Sequence, residues 1–316
     1  MFGINRKNKN GFEILQLNDN VNGCTIEVIP SCGAMLHAFI LKDHKGEINL
    51  IDSYSSKKEY DVSKESSGFK GLKLSPFPCR IKKGTYNFNG IEYTLQPNLG
   101  EVVLHGFLYN KSFNIVEEYA DAVSARVVLN YKYAGEIPGF PFPYNCTVSY
   151  TLEAGNKLTV TTGIENTGDA SLPIADGWHP YFSFGGKVND LLLEFRSDKM
   201  LEFVNLLPTG KMIPFQDFLQ SSSIGDKEID NSFVLDFTKS QPMCILRDPK
   251  SKRQLEIYPL RGYPYLQIYI PPHRRSIAIE NLSAPPNAFN NGMGLIVLES
   301  GGTIDFSTMY KVSFYE

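Results

Sequence analysis

His179 lies in the run Ala-Asp-Gly-Trp-His-Pro-Tyr-Phe-Ser-Phe, residues 175–184. An imidazole can give or take a proton near neutral pH. The aromatics around it suit a ligand that is part apolar and part hydroxylated. A packed structural histidine fits the same residues, because aromatic-rich interiors are common. Glu280 closes Ser276-Ile277-Ala278-Ile279-Glu280. Strand alternation puts Ile277 and Ile279 on one face and Ser276, Ala278 and Glu280 on the other. That second face is small, which leaves room for a ligand beside the carboxylate. A plain surface carboxylate is the competing reading. The same count groups His179 with Tyr181, opposite Trp178, Pro180 and Phe182.

Three further residues could accompany this acid–base pair. His105 precedes Gly106, and glycine permits close backbone approach to a ligand. Arg80 ends the proline-stiffened Ser75-Pro76-Phe77-Pro78-Cys79-Arg80; a buried guanidinium there needs a partner or a ligand. Asp230 fits either a ligand contact or an ordinary turn. His37, His44 and His273 have no motif around them. Zinc-ligand spacing, a P-loop, Gly-x-Ser-x-Gly and a dinucleotide fingerprint are all missing, which disfavours a metal hydrolase and a serine hydrolase.

The elements that must position these groups read as β. Thr25–Ile29, Ser124–Tyr133, Cys146–Leu152, Leu158–Glu165, Gln254–Tyr258 and Leu266–Ile270 alternate and are rich in β-formers. Turn residues separate them, as in Glu153-Ala154-Gly155-Asn156 and Asn166-Thr167-Gly168-Asp169. Ser53–Ser66 is expected to hold a short surface helix and Pro214–Ser221 another turn or two. Ile137–Pro143 carries too much proline for a central strand. Crossover helices are lacking, so the expected fold is all-β: one large antiparallel sandwich in a single domain over 1–316.

The chain has 316 residues, net charge −3 and five widely spaced cysteines. Nothing in that balance points to nucleic acid or an anionic membrane. No apolar run approaches the roughly 20 residues of a membrane span. The N-terminus lacks a signal-peptide pattern, and reduced cysteines in the cytoplasm are expected.

Taken in order, the segments resemble the aldose 1-epimerase (galactose mutarotase) family. Leu104-His105-Gly106 is similar to its Leu-His-Gly, and Trp178-His179-Pro180-Tyr181-Phe182 to its Asn-His-x-Tyr-Phe. Asp230-Asn231-Ser232-Phe233-Val234 resembles its Asp-x-x-Phe-Val. Ile279-Glu280 with Pro285-Pro286-Asn287-Ala288 resembles its Ile-Glu-Pro and Pro-Asn-Ala, and Leu298–Thr303 its closing Leu-x-Pro-Gly-Glu-Thr. Arg80 falls where the family carries a substrate arginine. The likeness runs from about Thr25 to Phe314.

The resemblance implies a large antiparallel β-sandwich and mutarotation of a hexose such as glucose or galactose. Glu280 would take the proton of the C1 hydroxyl and a protonated His179 would give one to the ring oxygen. Arg80, His105, Asp230 and Tyr181 would bind the sugar. No cofactor or metal is implied, because each step is a proton transfer. An acidic limb from the glutamate and a basic limb from the histidine are expected in the pH–rate profile. Trp178 and Asn281 depart from the family pattern and resemble a divergent bacterial branch. Two alternatives follow. A hexose-6-phosphate 1-epimerase would need a cationic clamp from Arg80, Lys82, Lys83, Arg274 and Arg275. A non-catalytic carbohydrate-binding protein would keep the sandwich without turnover. Phe289, Phe140 and Phe142 are candidates, with Tyr181, to stack on the sugar. The expected partner is a small sugar, without nucleic acid or membrane, on a monomer or homodimer.

Overall fold

A computed structural model describes all 316 residues. A nine-stranded antiparallel sheet forms one side. Its order is Asn114–Ala120, Ser124–Tyr133, Tyr144–Glu153, Lys157–Asn166, Thr303–Phe314, Arg253–Arg261, Cys244–Asp248, Leu192–Phe195 and Ser222–Ser223. Tyr144, Cys146, Val148, Tyr150 and Leu152 point inward while the residues between them face outward. Lys157–Asn166 repeats that pattern beside it. Period-two alternation therefore buries one face of the hairpin; a fully buried aliphatic or aromatic side chain contributes about 1.5–3 kcal/mol.

A second, eight-stranded sheet runs Leu207–Pro214, Lys199–Val204, Asp230–Val234, Tyr265–Tyr269, Ile277–Leu282, Gly177–Trp178 and Lys73–Leu74. Tyr181–Phe182 also pairs with Ile277–Leu282. A five-stranded meander over Phe2–Asn49 completes the structure with three two-stranded ribbons. One cluster of 67 buried residues draws on all three large sheets. The fold is the all-β antiparallel sandwich expected.

Local expectations fare unevenly. A helix forms at Lys57–Ser63, where the Ser56 hydroxyl accepts from the Glu59 N–H at 3.1 Å. Ile137–Phe140 is a loop with one isolated bridge. Pro214–Ser221 is not helical. Phe215 and Phe218 are instead drawn against Phe195 and Phe233, and the Phe218 carbonyl accepts from the Phe195 N–H at 2.8 Å. Aromatic packing wins there over the short polar helix. All five cysteines are buried and unpaired, and no helix is long and apolar enough to cross a membrane.

Candidate active site

Ile277–Leu282 is buried at every position. Ile277 and Ile279 pack into the core, as alternation requires. The other face is not solvent. Glu280 on that face lines a cavity of about 260 Å³ and is only 2% exposed. The neighbouring strands bring the rest. Gln267 sits directly opposite Glu280 and Asp230 opposite Tyr269. Across the other edge Tyr181 pairs with Ala278. His179 lies between, its N–H donating to Leu72 and its carbonyl accepting from Gly71.

All six residues singled out from the sequence line this one cavity: Arg80, His105, His179, Tyr181, Asp230 and Glu280. His179 Nε2 lies 3.3 Å from Glu280 Oε1. His179 Nδ1 and Glu280 Oε2 are buried without a partner. A buried polar atom left unpaired costs about 1–3 kcal/mol, so both atoms favour a hydrogen-bonding partner. Burial drives both groups toward their neutral forms. It depresses His179 to about 3 and holds Glu280 well above the usual carboxylate range, with the Asp230 charge adding to the rise.

His105 is fixed in one tautomer. The Cys79 backbone N–H donates to its Nδ1 at 3.0 Å, so Nε2 carries the proton of the neutral ring. Burial, then His179 and Arg80, keep His105 well below its ordinary pKa. Asp230 is pushed up by burial and drawn back by Arg80 and by the Gln267 amide, 2.8 Å away. The Ser232 hydroxyl donates to the other end of that amide at 2.5 Å. The Tyr181 ring stacks on His179 at 4.9 Å and 12°. One of its faces is therefore covered by imidazole rather than free for a ligand.

Backbone strain collects at the same place. Phe69, Cys79 and His105 have φ of 55°, 56° and 61°. Such conformations cost about 1–3 kcal/mol each in a residue other than glycine. Gly106 (φ 66°), expected from its place after the histidine to approach a ligand, does not line the cavity. Its α-carbon abuts the Ser75 carbonyl, leaving no space for a side chain.

Several expectations fail. Phe140 and Phe289 stack on each other in the core at 6.1 Å, and Phe142 packs against Phe88; none of the three lines the cavity. The lining aromatics besides Tyr181 are Phe69, Phe203 and Tyr269. Sequence reading missed these, and also Glu65 and Gln267. Alternation backward from Asp230's partner strand could have found Gln267, but nothing local marks Glu65, which arrives on the loop after the helix. The phosphate clamp does not form. Of its five candidates only Arg80 lines the cavity. Arg274 is occupied by Asn189 and by the Gly225 and Lys227 carbonyls. Arg275 belongs to a separate surface basin, and Lys82 and Lys83 are exposed. No three His, Cys, Asp or Glu side chains gather as a metal cluster.

The large antiparallel sandwich thus encloses a buried histidine–glutamate pair. The aldose 1-epimerase family model matches residues 13–311, and the chain belongs to that family of isomerases. The chain is 29% identical over 243 residues to the uncharacterized protein YihR of Escherichia coli (strain K12), covering 73% of this chain and 75% of that one. It is 24% identical over 333 residues to the aldose 1-epimerase of Streptococcus thermophilus, covering 93% and 92%. A galactose mutarotase-like protein from Clostridium acetobutylicum superimposes with a TM-score of 0.87 at 16% identity, covering 99% of both chains.

Proposed function

We propose that the protein interconverts the α and β anomers of an uncharged hexose by opening and reclosing its ring. The 3.3 Å approach of His179 to Glu280 carries this reading. The anomeric hydroxyl and the ring oxygen are bound to the same carbon. A base for one and an acid for the other must therefore sit side by side, within hydrogen-bond reach of both oxygens. Glu280 takes the proton of the C1 hydroxyl. His179 delivers one to the ring oxygen. The open-chain aldehyde turns about C1–C2 and closes on its other face with the roles reversed.

Burial disfavours the charged forms of both groups, so before the sugar binds the proton the reaction needs is better held on the carboxyl than as an ion pair. Sugar hydroxyls arriving beside Glu280 favour its anion, and the proton passes to His179. His105 donates from Nε2 to the oxygen on which charge develops, and Arg80 steadies that charge. Asp230, held by Gln267, accepts from a sugar hydroxyl. Tyr181 lines the wall and buttresses the imidazole. Every step is a proton transfer, so the chemistry calls for no cofactor or metal.

The cavity, about 260 Å³, lies at the small end of ligand pockets, which run upward from about 300 Å³, and suits one sugar ring. The lining carries one arginine together with Glu65, Asp230 and Glu280, whose charged form burial disfavours. That balance supports an uncharged aldose over a hexose 6-phosphate. The net charge of −3 supports a small-sugar partner rather than nucleic acid or an anionic membrane. We place the activity in one domain over 1–316, as a monomer or homodimer in the cytoplasm.

The test follows the optical rotation of freshly dissolved α-D-glucose, α-D-galactose and glucose 6-phosphate, with wild type and Glu280→Gln. Acceleration of a free hexose by wild type alone is expected. Acceleration of the phosphate ester alone would overturn the substrate, and no acceleration of any sugar would overturn the reaction.

A further inference from the structure

A second charged cluster, Lys73 with Asp176, does not line the cavity. Lys73 and Asp176 have side chains that are 0% exposed, and Lys73 Nζ lies 2.5 Å from Asp176 Oδ1. Nζ also donates to the Gly177 carbonyl at 3.0 Å and sits 4.7 Å from the centre of a Trp178 ring. Asp176 Oδ2 accepts from the Tyr263 hydroxyl at 2.7 Å. The Asp176 backbone N–H donates to Ser283 Oγ at 2.7 Å, and its carbonyl accepts from the Ser283 N–H at 2.9 Å.

These bonds cross three neighbouring strands, Ile277–Leu282, Gly177–Trp178 and Lys73–Leu74. Ser283 follows the first, Asp176 precedes the second and Lys73 opens the third. Glu280 lies three residues before Ser283, and His179 three residues after Asp176. Three register pairs join this segment to Ile277–Leu282: Gly177–Leu282 before His179, and Tyr181–Ala278 and Phe182–Ile277 after it. On the side before His179 the strand ladder has only the one pair, and there the bonds of Asp176 and Ser283 extend it.

An apolar plug of equal volume would seal the same space without the desolvation penalty of two charges, and such replacements are often neutral or stabilising. What apolar contacts lack is direction. The ion pair and its hydrogen bonds fix one strand along another. Trp178, the departure from the family pattern, fits the same role. Its ring covers the Lys73 ammonium, a cation–π contact strengthened by burial, while its indole N–H reaches Thr162 Oγ1 at 3.2 Å.

We propose that Lys73 and Asp176 are positioning residues of the epimerase reaction, whose buried ion pair keeps His179 Nε2 within proton-transfer reach of Glu280. This rests on the anomeric epimerisation proposed above. The test is the double variant Lys73→Met, Asp176→Asn, which removes both charges and keeps an acceptor for Tyr263. Mutarotation kinetics are measured well below the melting temperature, beside wild type. The expected result is a kcat lower by about tenfold or more with KM within about twofold, because small misplacements of catalytic groups cost up to about 10²-fold. Wild-type kcat in a folded double variant would overturn the proposal. If that variant does not fold, Tyr263→Phe and Ser283→Ala remove one tie each. Each should lower kcat about threefold at unchanged KM, and unchanged kcat in both would overturn it. The wild-type arm separates the two readings: without acceleration by wild type the reaction itself is wrong, whereas an active wild type with an equally active variant removes only the positioning role.

Discussion

The hairpin Tyr144–Asn166 and the strand Ile277–Leu282 belong to the same sandwich but obey different rules. Along the hairpin every second side chain is buried and the others meet solvent. The polar face is inexpensive there, since water satisfies it. Along Ile277–Leu282 both faces are buried, and polar groups are enclosed on one of them. Burial disfavours the charged form of Glu280, and four lining residues other than glycine, Phe69, Cys79, His105 and Leu206, carry left-handed backbone. One region supplies stability from simple alternation. The other holds strain and unpaired polar atoms, and those can be relieved by a ligand.

Mutations should separate the two regions, beginning with the largest effect. Glu280→Gln and His179→Asn should each lower mutarotase turnover by about 10²–10⁴-fold, the usual contribution of a general acid or base, with a melting temperature no lower than that of wild type. Equal loss of fold and activity would break the distinction. Tyr150→Ala should do the reverse. Its ring is 0% exposed and its hydroxyl donates to the Ala34 carbonyl at 2.6 Å. Removing a ring of this size costs about 3–5 kcal/mol, read by denaturant unfolding, while kcat of the folded fraction stays within about twofold.

The pH dependence sharpens the contrast. Activity needs one proton on the His179–Glu280 pair. With His179 depressed to about 3 and Glu280 raised, the acidic limb of kcat/KM reports a second proton arriving on His179, near pH 3. The basic limb reports loss of the shared proton, above the ordinary carboxylate range. The limbs expected from the free side chains are thus exchanged, and they belong to the pair as a unit. A basic limb below pH 5 would contradict the burial of Glu280.

Stability carries the same signature. A carboxyl whose pKa is raised by folding contributes stability below its unfolded value, and that contribution is lost as pH rises through the folded value. Glu280→Gln should therefore melt a few degrees above wild type at pH 8, with the gap closing toward pH 4. The smallest effect belongs to the outer face of the hairpin. Thr161→Ala deletes a hydroxyl contact with Ser307 of 3.0 Å on a half-exposed position, and should change stability by no more than about 0.5–1 kcal/mol.

Much of this was legible in the residues. The strands around Ser124–Tyr133 and Leu158–Glu165 announce themselves by alternation. The six site residues announce themselves by type and by the order of their motifs, and they meet in one cavity. What local reading missed came from contacts distant in the chain. Phe215 and Phe218 left a helix-like segment to join Phe195 and Phe233. Phe140 and Phe289 went to the core, while Phe69 and Glu65, in an unremarkable loop, came to the cavity.

The sequence by itself determined the strands, the faces of each strand and the residue types available for acid–base work, because period and side-chain chemistry are local properties. Only the tertiary structure decided which polar face became a buried cavity and which met water. Only it brought Lys73 to Asp176, across 103 positions of chain, and His179 to Glu280, across 101. Burial and proximity between distant segments set the protonation of such groups, and neither is written at any one position.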